Sequence, residues 1–237
     1  MNPHGNQALV VLPTYNEKDN LERVLAGVRA TGHHVLIVDD ASPDGTGEIA
    51  DRLAAADPGG VSVLHRPGKL GLGTAYVNGF RLGLDRGYGL LVEMDADGSH
   101  LPEFLDAIVA AAREGGGMAI GSRYVSGGSV VGWGARRTAL SRYANVYTRT
   151  ILGLRTRDCT SGYRCYTREC LDRIGLDSIR SQGYSFQIEM VYRCTRAGLP
   201  VAEVPIRFED RIAGQSKVSE GEVRKALLAV LRLRLDG

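Results

Sequence analysis

Five apolar runs in the first half of the chain, separated by stretches of helical period, leave few ways for it to fold. "ALVVLP", "HVLIVDD", "VSVLHRP", "YGLLVEMDAD" and "GGMAIGSRY" read as strands. Helices are predicted from about Glu17 to Ala30 and over "TGEIADRLAAA", "GTAYVNGFRLGLDRG" and "PEFLDAIVAAARE". Strands this apolar need cover on both faces, and strands alternating with helices build βαβ units. The fold class is therefore α/β, a mostly parallel central sheet flanked by helices. Ligands of such sheets bind beyond the carboxyl ends of the strands. Four polar segments fall there: "PTYNE", "VDDASPDGT", "HRPGKLGLGTA" and "MDADGSH".

After Tyr124 the alternation stops. A Gly-rich turn "VSGGSVVGWG" leads to a helix "ARRTALSRYANVYTRTILGL", then to "RDCTSGYRCYTRECLDRIGL". A helix "SFQIEMVYRCTRAG", a strand "VAEVPIRFEDR" and an amphipathic helix "SEGEVRKALLAVLRLRLDG" follow. We read one domain over residues 1–237, with a sheet-building half at about 8–124 and a specialised half at about 125–237. No charged n-region and apolar h-region open the chain, and no run of about 18 apolar residues occurs, so neither a signal peptide nor a membrane span is expected. The four cysteines (159, 165, 170 and 194) lack C-x-x-C spacing and are read as reduced thiols.

A net charge of +2 does not call for nucleic acid as a partner, but its distribution is informative. Between Ser122 and Arg168 stand nine arginines, one acid (Asp158) and no lysine. Planar guanidinium groups suit phosphate, and an anionic membrane surface as well.

Asp95 and Asp97 end the fourth predicted strand, where a turn can bring both carboxylates to one point. Two hard oxygen ligands suit Mg²⁺ or Mn²⁺ together with water and substrate phosphates. Asp39 and Asp40 end the second strand; adjacent acids repel unless a cation or donor faces them, and a nucleobase N–H could be that donor. Asp44 follows and also suits a helix cap. "GKLGLGTA" is not the G-x-G-x-x-G of dinucleotide sites, and no P-loop is present.

With "PTYNE", "VDDASPDGT", "GLGTA" and "MDADGSHLPE" in this order, the sequence resembles family 2 inverting glycosyltransferases of the nucleotide-sugar-binding GT-A type fold. "GSRYVSGG", "RRTALSRYAN", "RDCTSGYRCYTRE", "GYSFQIEM" and "EVPIRFEDRIAGQSK" are similar to polyprenol- or dolichol-phosphate mannose synthases, closest to the soluble actinobacterial type. The resemblance implies that Pro13, Tyr15 and Glu17 line the base and ribose pocket. It makes Asp39 or Asp40 the nucleoside carboxylate, with Asp44, Gly71, Gly73, Ala75 and Ala96 also on the donor side. Asp95 and Asp97 match the metal pair, Asp97 being also catalytic; Ser99 stands where many relatives carry a glutamine ligand. Arg123, Arg137 and Ser141 match residues that receive the acceptor phosphate, and Arg211 and Lys217 residues that clamp the donor diphosphate.

The activity implied by the resemblance is transfer of mannose from GDP-mannose to a polyprenyl (dolichyl-type) phosphate with inversion. It implies a cytoplasmic enzyme, peripheral at the inner face of the cytoplasmic membrane, with a membrane-anchoring protein as a candidate partner. Trp133 and the C-terminal helix are expected at the headgroup level. Three alternatives stay open: a UDP-sugar donor such as UDP-glucose, a soluble acceptor, and a non-catalytic nucleotide-sugar-binding partner.

Overall fold

The computed structural model describes residues 4–181, 183–210 and 220–236. Strands β1 (Leu9–Thr14), β2 (His34–Asp39), β3 (Val61–His65), β4 (Leu90–Glu93) and β5 (Met118–Ser122) alternate with helices α1 (Leu21–Ala30), α2 (Thr46–Ala56), α3 (Leu72–Asp85) and α4 (Leu105–Gly115). Beyond them come β6 (Ser129–Val131), α5 (Ala135–Leu152), β7 (Arg164–Thr167), α6 (Arg168–Ile174), α7 (Tyr184–Arg196), β8 (Val201–Pro205), β9 (Arg207–Glu209) and α8 (Glu220–Asp236). The main sheet has seven strands in the order β3-β2-β1-β4-β7-β5-β8, with only β7 antiparallel to its neighbours. A second, two-stranded sheet pairs β6 with β9.

Side-chain alternation splits the core in two. Leu9, Val11, Leu36 and Val38 pack on one face with Tyr76, Phe80, Tyr166 and Phe186; Val10, Leu12 and Ile37 pack on the other with Leu21, Leu25, Ile108 and Tyr163. Both faces are covered, as the unbroken apolar runs require. Helix α3 lies close to the sheet because Gly79 and Gly83 carry no Cβ. A Cβ there would stand 2.5 Å from Val11 Cγ1 and 2.6 Å from Leu91 Cδ2 respectively.

Four elements differ from the sequence-based expectation. Helix α1 starts at Leu21 rather than Glu17, because Asn16 takes a left-handed φ of 61° and residues 17–20 form a turn. The Gly-rich turn contains β6. The predicted strand over 201–211 breaks at Ile206, sending β8 to the main sheet and β9 to the small one. Strand β7 is an insertion between β4 and β5 that the run "RDCTSGYRCYTRE" did not announce. Its Arg164 is wholly buried, donating to the carbonyls of Ser161 (2.7 Å), Gln187 (2.6 Å) and Cys159 (2.8 Å). No helix among the described residues is long and apolar enough to cross a membrane.

Candidate active site

Strand β4 ends at Glu93, and the chain turns through Asp95, Ala96, Asp97 and Gly98, whose φ of 80° favours glycine. Asp95 Oδ1 accepts the hydroxyl of the fully buried Tyr76 at 3.0 Å. Asp97 Oδ1 accepts from Ser99 N at 3.0 Å and from Ser99 Oγ at 2.6 Å. His100 Nδ1 accepts from Asp95 N at 3.0 Å, and its ring stacks on Tyr163 at 4.9 Å. The two carboxylates are thus fixed by different neighbours at one corner. Burial, followed by the nearby Asp95 charge, pushes the Tyr76 phenol well up, so it stays a donor.

The donor chemistry fits a hard divalent ion: two carboxylates two residues apart at a strand end, each pre-oriented by a hydrogen bond. Among the described residues no group of three or more acidic, histidine or cysteine side chains is gathered to hold a metal. Ser99 departs from its expected place as a ligand: its hydroxyl is turned onto Asp97 and it is 1% exposed.

"PTYNE" and "VDDASPDGT" are clasped together. Glu17 N donates to Thr46 Oγ1 at 3.0 Å, Asn16 N to Ser42 Oγ at 3.1 Å and Lys18 N to Asp44 Oδ2 at 3.4 Å. Asp44 also accepts from Thr46 N and Oγ1, capping the start of α2. Burial raises its carboxyl, but the bonds from Thr46 and Lys18 outweigh this and hold it below the ordinary value. The half-buried Tyr15 carries Lys69 Nζ 4.3 Å above its ring, with Pro13 one residue before Thr14 on the same edge.

Asp39 and Asp40, one of which is expected to face a nucleobase, are both held by protein partners. Asp40 forms a two-pronged pair with Arg66, Nε to Oδ1 at 2.5 Å and Nη2 to Oδ2 at 2.7 Å. Arg66 also reaches Thr74 Oγ1 and the carbonyl of Gly71, so the pair ties β2 to the loop opening α3. Asp39, 2% exposed, accepts from Thr14 Oγ1 (3.0 Å), Ser42 N (3.1 Å) and Ser42 Oγ (2.6 Å). Ala75 belongs to the apolar core rather than a donor surface, and Gly73 packs beneath the Phe186 ring.

Arg123, expected at the acceptor phosphate, is also held by the protein. Its Nε and Nη2 grip Asp158 at 2.7 Å each, its Nη2 reaches Thr160 at 2.9 Å, and it is 7% exposed. Burial would raise the Asp158 carboxyl, but the Arg123 charge and hydrogen bonds hold it below the usual range. Arg123 thereby ties the end of β5 to the segment before β7. Arg137 is different: its side chain is one-third exposed, and Nη1 meets both oxygens of Asp210 at 3.0 and 3.1 Å. Ser141, one turn on along α5, accepts the Tyr124 hydroxyl at 2.7 Å. Trp133 does not stand out toward a membrane; its ring lies under Arg137 Cζ at 4.0 Å and edge-on to Phe208 at 5.4 Å. Arg211 and Lys217 lie outside the described residues.

Tyr76, Arg66, Asp158 and Phe208 escaped the sequence reading. Each acts through a partner far along the chain, and none carries a local motif.

Comparison with known proteins agrees with this architecture. Residues 9–175 match the family described as Glycosyl transferase family 2. A polyprenol monophosphomannose synthase of Mycolicibacterium smegmatis is 50% identical over 97% of this chain and 89% of its own length. An undecaprenyl-phosphate mannosyltransferase of Micrococcus luteus is 49% identical over 95% of this chain and 93% of its own. Among solved structures, mannosyl-3-phosphoglycerate synthase from Rubrobacter xylanophilus superposes with a TM-score of 0.65 at 20% identity, covering 97% of this chain and 73% of that one. A mannosyltransferase from Pyrobaculum calidifontis in complex with GDP-Man and Mn²⁺ does so at 0.56 and 16% identity, covering 96% and 69%. The chain is a glycosyltransferase and belongs to glycosyl transferase family 2.

Proposed function

We propose that the chain transfers mannose from GDP-mannose to a polyprenyl phosphate, with inversion at the anomeric carbon. The observation that carries this reading is the shared support of two charged sites. Strand β9 donates from Glu209 N to Ser99 O at 3.4 Å beside the acidic corner, and the next residue, Asp210, pairs with Arg137. An acidic corner suits a metal-bound diphosphate, and Arg137 with Ser141 suits a phosphate acceptor a short way along the same strand. The two relatives that match most of the chain carry names of this reaction class, and a structural neighbour was solved with GDP-Man and Mn²⁺.

Asp95 and Asp97 would hold Mg²⁺ or Mn²⁺, which when bound neutralises charge gathering on the leaving diphosphate. The corner, braced by Tyr76 and Ser99, is orienting machinery. Pro13, Tyr15 and Glu17 bound the nucleoside end, where Lys69 adds positive charge. Arg137 and Ser141 hold the acceptor in line with the anomeric carbon. One phosphate oxygen of the acceptor bonds to that carbon as its bond to the diphosphate breaks, and the electron pair leaves with the nucleoside diphosphate. A single displacement turns an α-linked donor into a β-linked product. A monoester phosphate with a second pKa near 6 is already largely dianionic at about pH 7, so no general base is required.

The acceptor's chain must meet a bilayer. Helices α5 and α8 pack together, Tyr147 Oη donating to Leu227 O at 3.4 Å. They expose Leu140, Tyr143 and Val146 on one and Leu228, Leu231 and Leu235 on the other. Arg136, Arg142, Arg232 and Arg234 are exposed on the same helices, a mixture suited to an anionic lipid surface. The testing experiment is transfer to a short prenyl phosphate with Mg²⁺ or Mn²⁺, run in parallel with GDP-mannose, UDP-glucose and UDP-N-acetylglucosamine. Lipid-linked mannose from GDP-mannose alone is the expected result; transfer from a UDP-sugar instead overturns the donor, and no transfer to prenyl phosphate overturns the acceptor.

A further inference from the structure

Trp133, the chain's single tryptophan, stands immediately before Gly134, the residue that precedes α5. Its indole faces are occupied by cations: Arg137 Cζ lies 4.0 Å and Arg123 Cζ 5.5 Å from the ring centroid. Phe208 abuts it at 5.4 Å with an interplanar angle of 71°. The Nε1–H is enclosed and, among the described residues, meets no acceptor. A buried donor without a partner is destabilising and calls for an explanation.

The surroundings say what is missing. Helix α5 is 18 residues long, its first turn contains no acid, and Gly134 offers no capping side chain. Arg136 and Arg137 sit at this end, where the helix dipole is already positive. Indole N–H, guanidinium and helix terminus belong to residues 133–137, and an anionic oxygen is the partner that each of them accepts. Arg137 currently meets the carboxylate of Asp210, an oxyanion of similar hydrogen-bonding habit, in a pair exposed enough for a ligand to replace it. Ser141, one turn further, completes the same edge.

We propose that Trp133 is a further acceptor-binding residue: its indole N–H donates to a phosphate oxygen of the acceptor, while its ring holds the Arg137 guanidinium flat beside it. This rests on the reading of Arg137 and Ser141 as the acceptor site. A phosphomonoester is the ligand class, and the apolar chain beyond the phosphate distinguishes a lipid acceptor from free phosphate.

The test compares the wild type with Trp133→Phe, which keeps an aromatic ring beside Arg137 and removes the Nε1–H together with the fused five-membered ring. Kinetics with GDP-mannose and a short soluble prenyl phosphate should show the acceptor KM raised about tenfold or more, the donor KM within about twofold. Trp133→Phe also loses packing against Phe208, so the readout that separates a binding role from a structural one is the split between acceptor KM and donor KM. In the wild type, emission of the single tryptophan should change on adding prenyl phosphate, and at higher concentration on adding inorganic phosphate. An unchanged acceptor KM in Trp133→Phe, or unchanged emission at saturating prenyl phosphate, overturns the proposal. If the wild type turns over while Trp133→Phe matches it, only this inference falls. If the wild type neither binds nor uses prenyl phosphate, the acceptor reading falls and takes this one with it.

Discussion

Arg123 and Arg137 look interchangeable in the sequence, and the structure predicts that removing them has opposite signatures. Arg123 and Asp158 form a pair with side-chain exposures of 6% and 0%, in which Asp158 accepts the Arg123 backbone N–H as well as the guanidinium. Taking away one partner of such a pair strands a buried charge at a cost of about 3–5 kcal/mol. At about 2–4 °C per kcal/mol for a chain of this size, Arg123→Ala should melt roughly 6–20 °C below the wild type. Arg137 and Asp210 are about one-third exposed, and a pair so wetted is worth about 0–1 kcal/mol. Arg137→Ala should therefore melt within a few degrees of the wild type yet lose turnover far more than it loses affinity for GDP-mannose. Replacing both buried partners, Arg123→Met with Asp158→Leu, should recover much of the stability lost by Arg123→Ala without restoring the shape of the site. Scanning calorimetry and urea unfolding give the stabilities, and single-turnover transfer gives the chemistry. The reasoning is refuted if Arg123→Ala unfolds with the wild type while turnover collapses, for then Arg123 serves the acceptor directly.

Other tests address separate parts of the site. Tyr76→Phe removes the hydrogen bond to Asp95 and leaves its ring packed between Phe80 and Phe186, so Mn²⁺ affinity by titration calorimetry should fall about tenfold while Asp97→Asn abolishes it; equal affinity in Tyr76→Phe excludes the bracing role. Burial raises the Glu93 carboxyl from 4.5 to about 7, against the pull of Arg164 and the Tyr166 hydroxyl at 2.8 Å. In that pH window the folded chain keeps a proton that the unfolded chain has released, so metal-free stability should fall as pH rises through it, by roughly 3 kcal/mol in all. Glu93→Gln should flatten that slope, and a slope unchanged in the variant would assign it elsewhere. Vesicles rich in anionic lipid should float with the wild type and not with Leu140→Ser/Tyr143→Ser/Val146→Ser; flotation of the triple variant at wild-type levels counts against the α5 face.

Strands β1 and β2 were legible because each is buried on both faces and reads as an unbroken apolar run; the half-buried edge strand β3 was legible from its shorter run "VSVL" between turn residues. Strand β7 was not, because Arg164 interrupts its apolar pattern and reads as surface; only the tertiary fold supplies the three carbonyls that bury it. The acids of the site were legible by their position at strand ends, but their direction was not. Asp40 faces inward because Arg66 waits 26 residues away, and Arg123 because Asp158 lies 35 residues on. Such partners are set by strand order rather than by any local motif. The glutamine expected where Ser99 stands is replaced by a residue that orients Asp97, a change of role that residue type alone does not disclose.

The break at Ile206 lets one length of backbone serve as the edge of the main sheet and then as the partner of β6. Its Phe208 touches His100 beside the acidic corner and Trp133 beside Arg137, so a few residues act as a ruler between Asp95–Asp97 and Arg137. A residue inserted between Ile206 and Phe208 would lengthen that ruler by about 3.3 Å and turn every following side chain to the opposite face. A deletion would shorten it by as much, whereas the exposed turn tip at 58–59 should absorb either change. Natural variation in chain length should therefore collect at that turn and be absent from 206–210.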